Sequence, residues 1–450
     1  MAIFDASFTI LSAIILVLTT YVILTVYNII LKDDKKCYRS IPKYTLKSIN
    51  TSSEWNTLSK KSLTDFYIKT AYNCCSVNDN FVNKCALLYT IRENCRCLDF
   101  EIHDSGGKPV VGTSLKDNNI GMDSFNSIKL EDVFQILSKA PFNSEVCQCY
   151  NDPLIVNLRI KSRLSYIYDI VAYVISQTLS SRLLSIDYSY MKYDEDEKLK
   201  DNPYWEHPKI LRDGINNFVN KIIISVSDCD LKILKQSELS KLVNIVGSKA
   251  TKGQGLEVEG SPLMFYTAKV LSNGGASLVQ VNNSQVVGEN RIANIDSYIS
   301  SKGFMIISIP DDMKYKNVNY CYYKKKKINM IGMLFQKKVP SYYERSNNVP
   351  NYLESTHVGD NILKKTDLIE YEEIGNLHNY ILWFARNGNA FIYKDADVDS
   401  LDDDDNDEEN NDNGIKCESS NVWDSDKILK NDNTKKTNLR KSLYNRCVIS

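Results

Sequence analysis

The sequence predicts an α/β protein built on a (β/α)8 TIM-type barrel, with one transmembrane helix ahead of the barrel and a disordered acidic tail behind it. Three observations predict this. Short apolar runs alternate with longer helical patterns across some 330 residues of the 450. The span from Ala6 to Leu31 holds no charged residue. From Val398 onward the composition shifts to Asp, Asn, Glu, Lys and Ser.

The N-terminal run comes first along the chain. It is rich in Ile, Leu, Val, Thr and Tyr, and as a helix it would reach roughly 39 Å, enough to cross a hydrocarbon core of about 30 Å. A cleaved signal peptide would need a basic start, but the early charge is Asp5. Residues 1–31 therefore read as a retained anchor. Lys32, Lys35, Lys36, Arg39, Lys43 and Lys47 follow it, so the positive-inside rule puts the rest of the chain on the cytoplasmic side. Residues 32–60 read as a polar connector.

The globular part runs from about residue 61 to 397. Phe66–Ala71, Cys97–His103, Leu154–Ile160, Lys221–Val226, Phe304–Ile309 and Met330–Phe335 read as buried strands, and Ser165–Leu184 reads as one of the helices between them. Strands alternating with helices imply parallel pairing, and a barrel is the common solution at this size. The twelve cysteines are irregularly spaced. A region this large does not need a disulfide framework, so the thiols read as reduced and structural. Cys95-Arg96-Cys97 and Cys147-Gln148-Cys149 lack the two-residue gap usual for zinc. A net charge of −1 gives no sign of nucleic-acid binding.

Residues 398–450 open on Asp402-Asp403-Asp404-Asp405 and hold few apolar residues, so they cannot bury enough surface to fold. The chain ends Cys447-Val448-Ile449-Ser450, a prenylation box whose terminal serine favours farnesyl on Cys447. Lys435, Lys436, Arg440, Lys441 and Arg446 precede it and would be drawn to anionic lipid.

Several segments resemble the catalytic barrel of eukaryotic phosphoinositide-specific phospholipase C. In the X half, residues 61–235, they are FYIKTAYN (66–73), CALLYTIREN (85–94) and CRCLDFEIHDSGGKPVV (95–111). In the Y half, residues 236–397, they are ELSKLVN (238–244), PDDMKYKNVNY (310–320), INMIGMLFQ (328–336) and FARNGNAFIYKD (384–395). A stretch of about 338–375 is longer than the family implies. The resemblance implies a phosphodiesterase that uses two histidines and a calcium ion held by an Asn and three carboxylates, acting on phosphoinositides.

Residue by residue, the family's chemistry is largely replaced. Tyr72 stands at a family histidine position, beside a surviving metal-site Asn73. Asp99 and Glu101 keep the two strand carboxylates with sizes exchanged. No histidine follows Val111, where the chain reads Gly112-Thr113-Ser114. Arg159 stands where the third carboxylate belonged, and two phosphate-binding lysines are replaced by Ser225 and Ser227. Lys314 takes the place of a phosphate-binding arginine, with Tyr315 and Tyr320 near the inositol-packing tyrosine. Period-2 alternation puts His103 on the face of Asp99 and Glu101, which makes it a candidate acid or base. An Arg at 159 would repel a metal and pair with a carboxylate, which opposes the calcium that the resemblance implies. The leading expectation is a catalytically impaired, membrane-anchored barrel that binds phosphoinositide headgroups through Lys314, Arg159, Tyr315 and Tyr320, or scaffolds partners. An active phospholipase with rearranged residues and a structural membrane protein are the alternatives.

Overall fold

The computed structural model describes residues 11–24, 44–77, 81–115, 121–195, 209–249, 278–283, 305–310, 317–335 and 365–394. The chain divides into two units, Met1–Val398 and Asp399–Ser450, and the described residues all lie in the first.

Among the described residues, eight strands pair in parallel and close a ring. They are β1 (Phe66–Ile68, continued by Thr70–Ala71), β2 (Cys97–Ser105), β3 (Leu154–Ile160), β4 (Ile222–Ser227), β5 (Ile245–Lys249), β6 (Leu278–Asn282), β7 (Met305–Ile309) and β8 (Met330–Ile331). Neighbours pair in sequence order from β1 to β8. Ile68 then pairs with Met330, which joins β8 back to β1. The break at Lys69 is where β1 changes partner: Lys69 accepts from the Arg96 and Cys97 amides as the chain leaves β8 for β2. A short strand, Phe391–Tyr393, runs antiparallel outside β1.

The sequence explains the ring. β3 (LIVNLRI) and β4 (IIISVS) are dense in β-branched residues and buried along their whole length, as strands covered on both faces must be. Helices cover the outside. Asn83 caps α1 (Lys84–Arg92) by accepting from the Cys85 amide. α2 is Leu130–Leu137, and α3 (Ser165–Leu179) buries Ile167, Val171, Ile175 and Leu179, a four-residue repeat that gives one apolar stripe. Asp230 caps α4 (Leu231–Gln236). α5 is Tyr320–Lys325 and α6 is Lys365–Asn387. β2 runs past the ring and turns back through Gly106 and Gly107, both at positive φ, into a strand at Lys108–Gly112.

Some expectations change. Of residues 1–31, a helix is described over 11–24. Among the described residues no helix is long and apolar enough to cross a membrane. The transmembrane helix, the single-pass membrane placement and the cytoplasmic side derived from it are therefore not supported, and neither is the structural membrane protein. The farnesylation expected at Cys447 falls outside the described residues, as does the rest of 398–450. The expected connector is partly core: Leu46, Ile49 and Leu58 are buried. Met330–Phe335 is strand only at Met330–Ile331. Cys74, Cys75, Cys95, Cys97, Cys147 and Cys149 are buried thiols, but Cys85 is disulfide-bonded.

Candidate functional site

Alternation on β2 sends Asp99, Glu101 and His103 to one face, and register sets Asp99 beside Asn157 and Glu101 beside Arg159 on β3. That face is the inside of the ring, because Arg159 reaches across β2 to residues that follow β1. Its Nη2 donates to Asn73 Oδ1 at 2.7 Å, and its guanidinium lies 4.5 Å from the centre of the Tyr72 ring. The polar cluster thus occupies the C-terminal end of the strands, where barrels place their chemistry.

Arg159 and Asp99 form the centre of the cluster. The guanidinium grips the carboxylate in a fork, Nε to Oδ1 at 3.1 Å and Nη2 to Oδ2 at 3.0 Å. Asp99 also accepts from Asn157 Nδ2 at 2.7 Å and from the Asn73 amide at 3.2 Å. Asn157 continues the network to Ser225 and Ser227 at 3.0 and 3.1 Å. Arg159 and Asp99 are both fully buried. Asn73 holds φ at +45°, a left-handed conformation that Asn tolerates better than most residues.

Glu101 is the second node. It accepts from the Ser114 amide at 2.8 Å and the Ser114 hydroxyl at 2.7 Å. Arg159 Nη1 and Lys161 Nζ each stand 3.8 Å from its Oε1, and His103 Nε2 stands at 3.9 Å. Burial pushes the Glu101 carboxyl above the usual carboxylate range, opposed by Arg159, Lys161 and Ser114 in that order. Lys161 also pairs with Asp228, which follows β4 at positive φ.

Of the residues singled out in the sequence, Tyr72, Asn73, Asp99, Glu101, His103 and Arg159 are brought together here. Tyr320 belongs elsewhere: it stacks on Trp383 at 4.9 Å and meets Tyr380 edge-on, between α5 and α6. Lys314, Tyr315 and Cys447 lie outside the described residues, and so does most of the 338–375 stretch. Sequence reasoning passed over Asn157, Lys161, Ser114 and Asp228. The first two were readable, since period 2 along β3 sets 157, 159 and 161 on one face. Ser114 follows a loop and Asp228 depends on its backbone conformation, neither of which periodicity signals.

Calcium does not fit this arrangement. The donors a cation would need, Asn73 Oδ1 and both Asp99 oxygens, are taken by a guanidinium, which carries the positive charge itself. Among the described residues no group of three or more His, Cys, Asp and Glu side chains is placed to hold a metal ion.

No protein-family model and no curated relative matches the chain. Solved structures similar to it include PLC21 from L. pealei, at 14% identity and TM-score 0.41, covering 64% of this chain and 35% of that one. The match thus spans about a third of the PLC21 chain. A calcium-dependent phosphoinositol-specific phospholipase C from a Gram-negative Pseudomonas is 13% identical, with TM-score 0.38 over 62% of this chain and 91% of that one. A glycerophosphodiester phosphodiesterase from Agrobacterium tumefaciens is 9% identical, with TM-score 0.31 over 59% and 95%.

Proposed function

We propose that this chain is a phospholipase C-like barrel that has lost phosphodiester hydrolysis and acts by binding phosphoinositide headgroups or scaffolding partners. The observation that carries the reading is the Arg159 fork on Asp99, with Asn73 on the same guanidinium. Hydrolysis of a phosphodiester by this type of site needs a cation that meets the phosphate and groups that move protons. The cation here is fully buried and committed to its own carboxylate. Tyr72 has a phenol where the resemblance asks for an imidazole, and Ser114 holds Glu101 where a second imidazole was expected. Losing general acid–base help alone costs about 10²–10⁴ in rate per group.

Turnover of phosphatidylinositol bisphosphate by the purified chain, with and without calcium, tests this against an Asp99→Asn, Glu101→Gln double variant. No turnover by either protein is expected. Calcium-dependent turnover that the double variant abolishes overturns the reading and makes His103 the next residue to replace. Sedimentation with liposomes, with and without the bisphosphate lipid, then tests binding. Lys314→Ala is expected to weaken it where the headgroup is held at the mouth, and absence of lipid-dependent binding leaves scaffolding as the role.

A further inference from the structure

Residues 44–51 pass beneath the barrel, at the end opposite the mouth. Leu46, Ser48 and Ile49 are buried there. The segment is held by other elements: the Lys47 amide donates to Gly388 O at 2.8 Å, ahead of the strand at Phe391–Tyr393. The Leu46 amide donates to Gln148 Oε1 at 2.8 Å, and the Ile49 amide donates to Asp152 Oδ1 at 2.7 Å. In return, the Asn151 amide donates to Ser48 Oγ at 3.2 Å, and Cys149 Sγ donates to Lys47 O at 3.4 Å. Asn94, ahead of β2, fixes the receiving loop by accepting from the Gln148 and Cys149 amides at 2.7 and 3.1 Å.

Of the described acceptors outside the strap that take a strap amide, two are an amide oxygen and a backbone carbonyl, and one can change charge. That one is Asp152, which is fully buried and whose Oδ2 has no hydrogen-bond partner among the described residues. We propose that residues 44–51 form a releasable strap across the N-terminal end of the barrel, with the buried carboxyl of Asp152 as its catch.

The surroundings of Asp152 set the direction. Arg96, just ahead of β2, is fully buried and donates to the carbonyls of Asp152, Pro153 and Pro141 and to Cys147 Sγ. Cys147 and Cys149 face the carboxyl from its own loop, and burial pushes both thiols up, so they stay protonated. Lys69 is engaged by Glu93 from the β1 side. Burial, opposed by Arg96 and the Ile49 amide, pushes the Asp152 carboxyl up to about 7. A carboxyl that holds its proton in the closed state and loses it in the open one makes opening release a proton. The strap therefore closes in acid and loosens as pH rises. By linkage the opening constant rises about fiftyfold between pH 5 and pH 7 and then levels off.

Hydrogen exchange on the full chain reads this directly, as protection factors that correct for intrinsic chemistry at each pH. The amides of Leu46, Lys47 and Ile49 are the probes, and Val171 and Ile175 in α3 are the control. Strap protection in the unmodified chain is expected to fall about fiftyfold from pH 5 to pH 7 relative to the control. In Asp152→Asn the fall is expected to vanish. In Gln148→Ala protection is expected to drop by one factor at every pH, with the slope kept. A flat profile in the unmodified chain, a slope that survives Asp152→Asn, or a slope removed by Gln148→Ala overturns the proposal. If Asp152→Asn loses α3 protection as well, the other two profiles decide it.

Discussion

Replacing Arg159 with Met tests whether the internal guanidinium holds the barrel's mouth together. The change keeps most of the volume and removes the fork on Asp99, the bond to Asn73 Oδ1 and the cation over Tyr72. Asp99 keeps two donors, Asn157 Nδ2 and the Asn73 amide. It loses the only full positive charge that grips it among the described residues, in a site with no exposure. Breaking such a pair from one side costs about 3–5 kcal/mol, because the remaining charge is left buried and uncompensated. Removing both partners costs much less, and can be neutral, since neither charge then needs solvation. The expected order in urea unfolding is therefore wild type close to the Asp99→Asn, Arg159→Met double variant, with Arg159→Met alone far below both. Midpoints at fixed pH give the ranking, and unchanged slopes show that the unfolding reaction is the same. A single variant within about 1 kcal/mol of wild type would refute the reasoning. So would a double variant no better than the single.

Asn73→Ala is expected to destabilise more than Asn73→Gly, by about 1 kcal/mol in denaturation, because both lose the acceptor for Arg159 but Ala also bears the left-handed backbone. Glu101 has its carboxyl raised by burial, so its ionisation costs the folded state. Its contribution is full in acid and is lost as pH rises through the raised value, above about 4.5. Glu101→Gln is expected to remove that slope, seen as a stability difference from wild type that grows from acid to neutral pH. Millimolar calcium, or a chelator, is expected to leave the unfolding temperature of the wild type unchanged. A calcium-dependent rise would show that a ligand binds the folded state despite Arg159.

What the sequence made legible were features with a short period or a long run. β3 and β4 could be read because strands buried on both faces are almost continuously apolar, and α3 because its buried residues recur every four. β5 and β6 were missed: Ile245–Lys249 and Leu278–Asn282 are short and interrupted by Gly, Ser, Gln and Asn, so neither run stands out. At the site, the face of β2 followed from alternation, and the pairing of Arg159 with a carboxylate, Asp99 or Glu101, followed from opposite charge. Their register, and the role of Asn157 in tying Asp99 to Ser225 and Ser227, required the strand pairing itself. The strap at 44–51 was hidden in a segment whose polar composition suggests a connector. Its burial depends on bonds to residues about a hundred positions away, and local pattern carries no trace of that.

The exchange of a metal for an arginine changes more than the source of charge. A divalent ion can shed or take up oxygen ligands as a reaction proceeds, so its charge is available where charge develops. A guanidinium has a fixed fork of donors, and here two of its edges are spent on Asp99 and Asn73. Its field is matched by a carboxylate about 3 Å away, so little remains to attract a phosphate from outside. Lys161 is matched in the same way by Asp228 and Glu101. Both of these cations are therefore matched by carboxylates. An anionic headgroup would have to be met by side chains beyond these pairs, and Lys314, outside the described residues, is the candidate the sequence offers. For that reason Lys314→Ala, rather than any change at Arg159 or Lys161, is the variant that separates binding from stability.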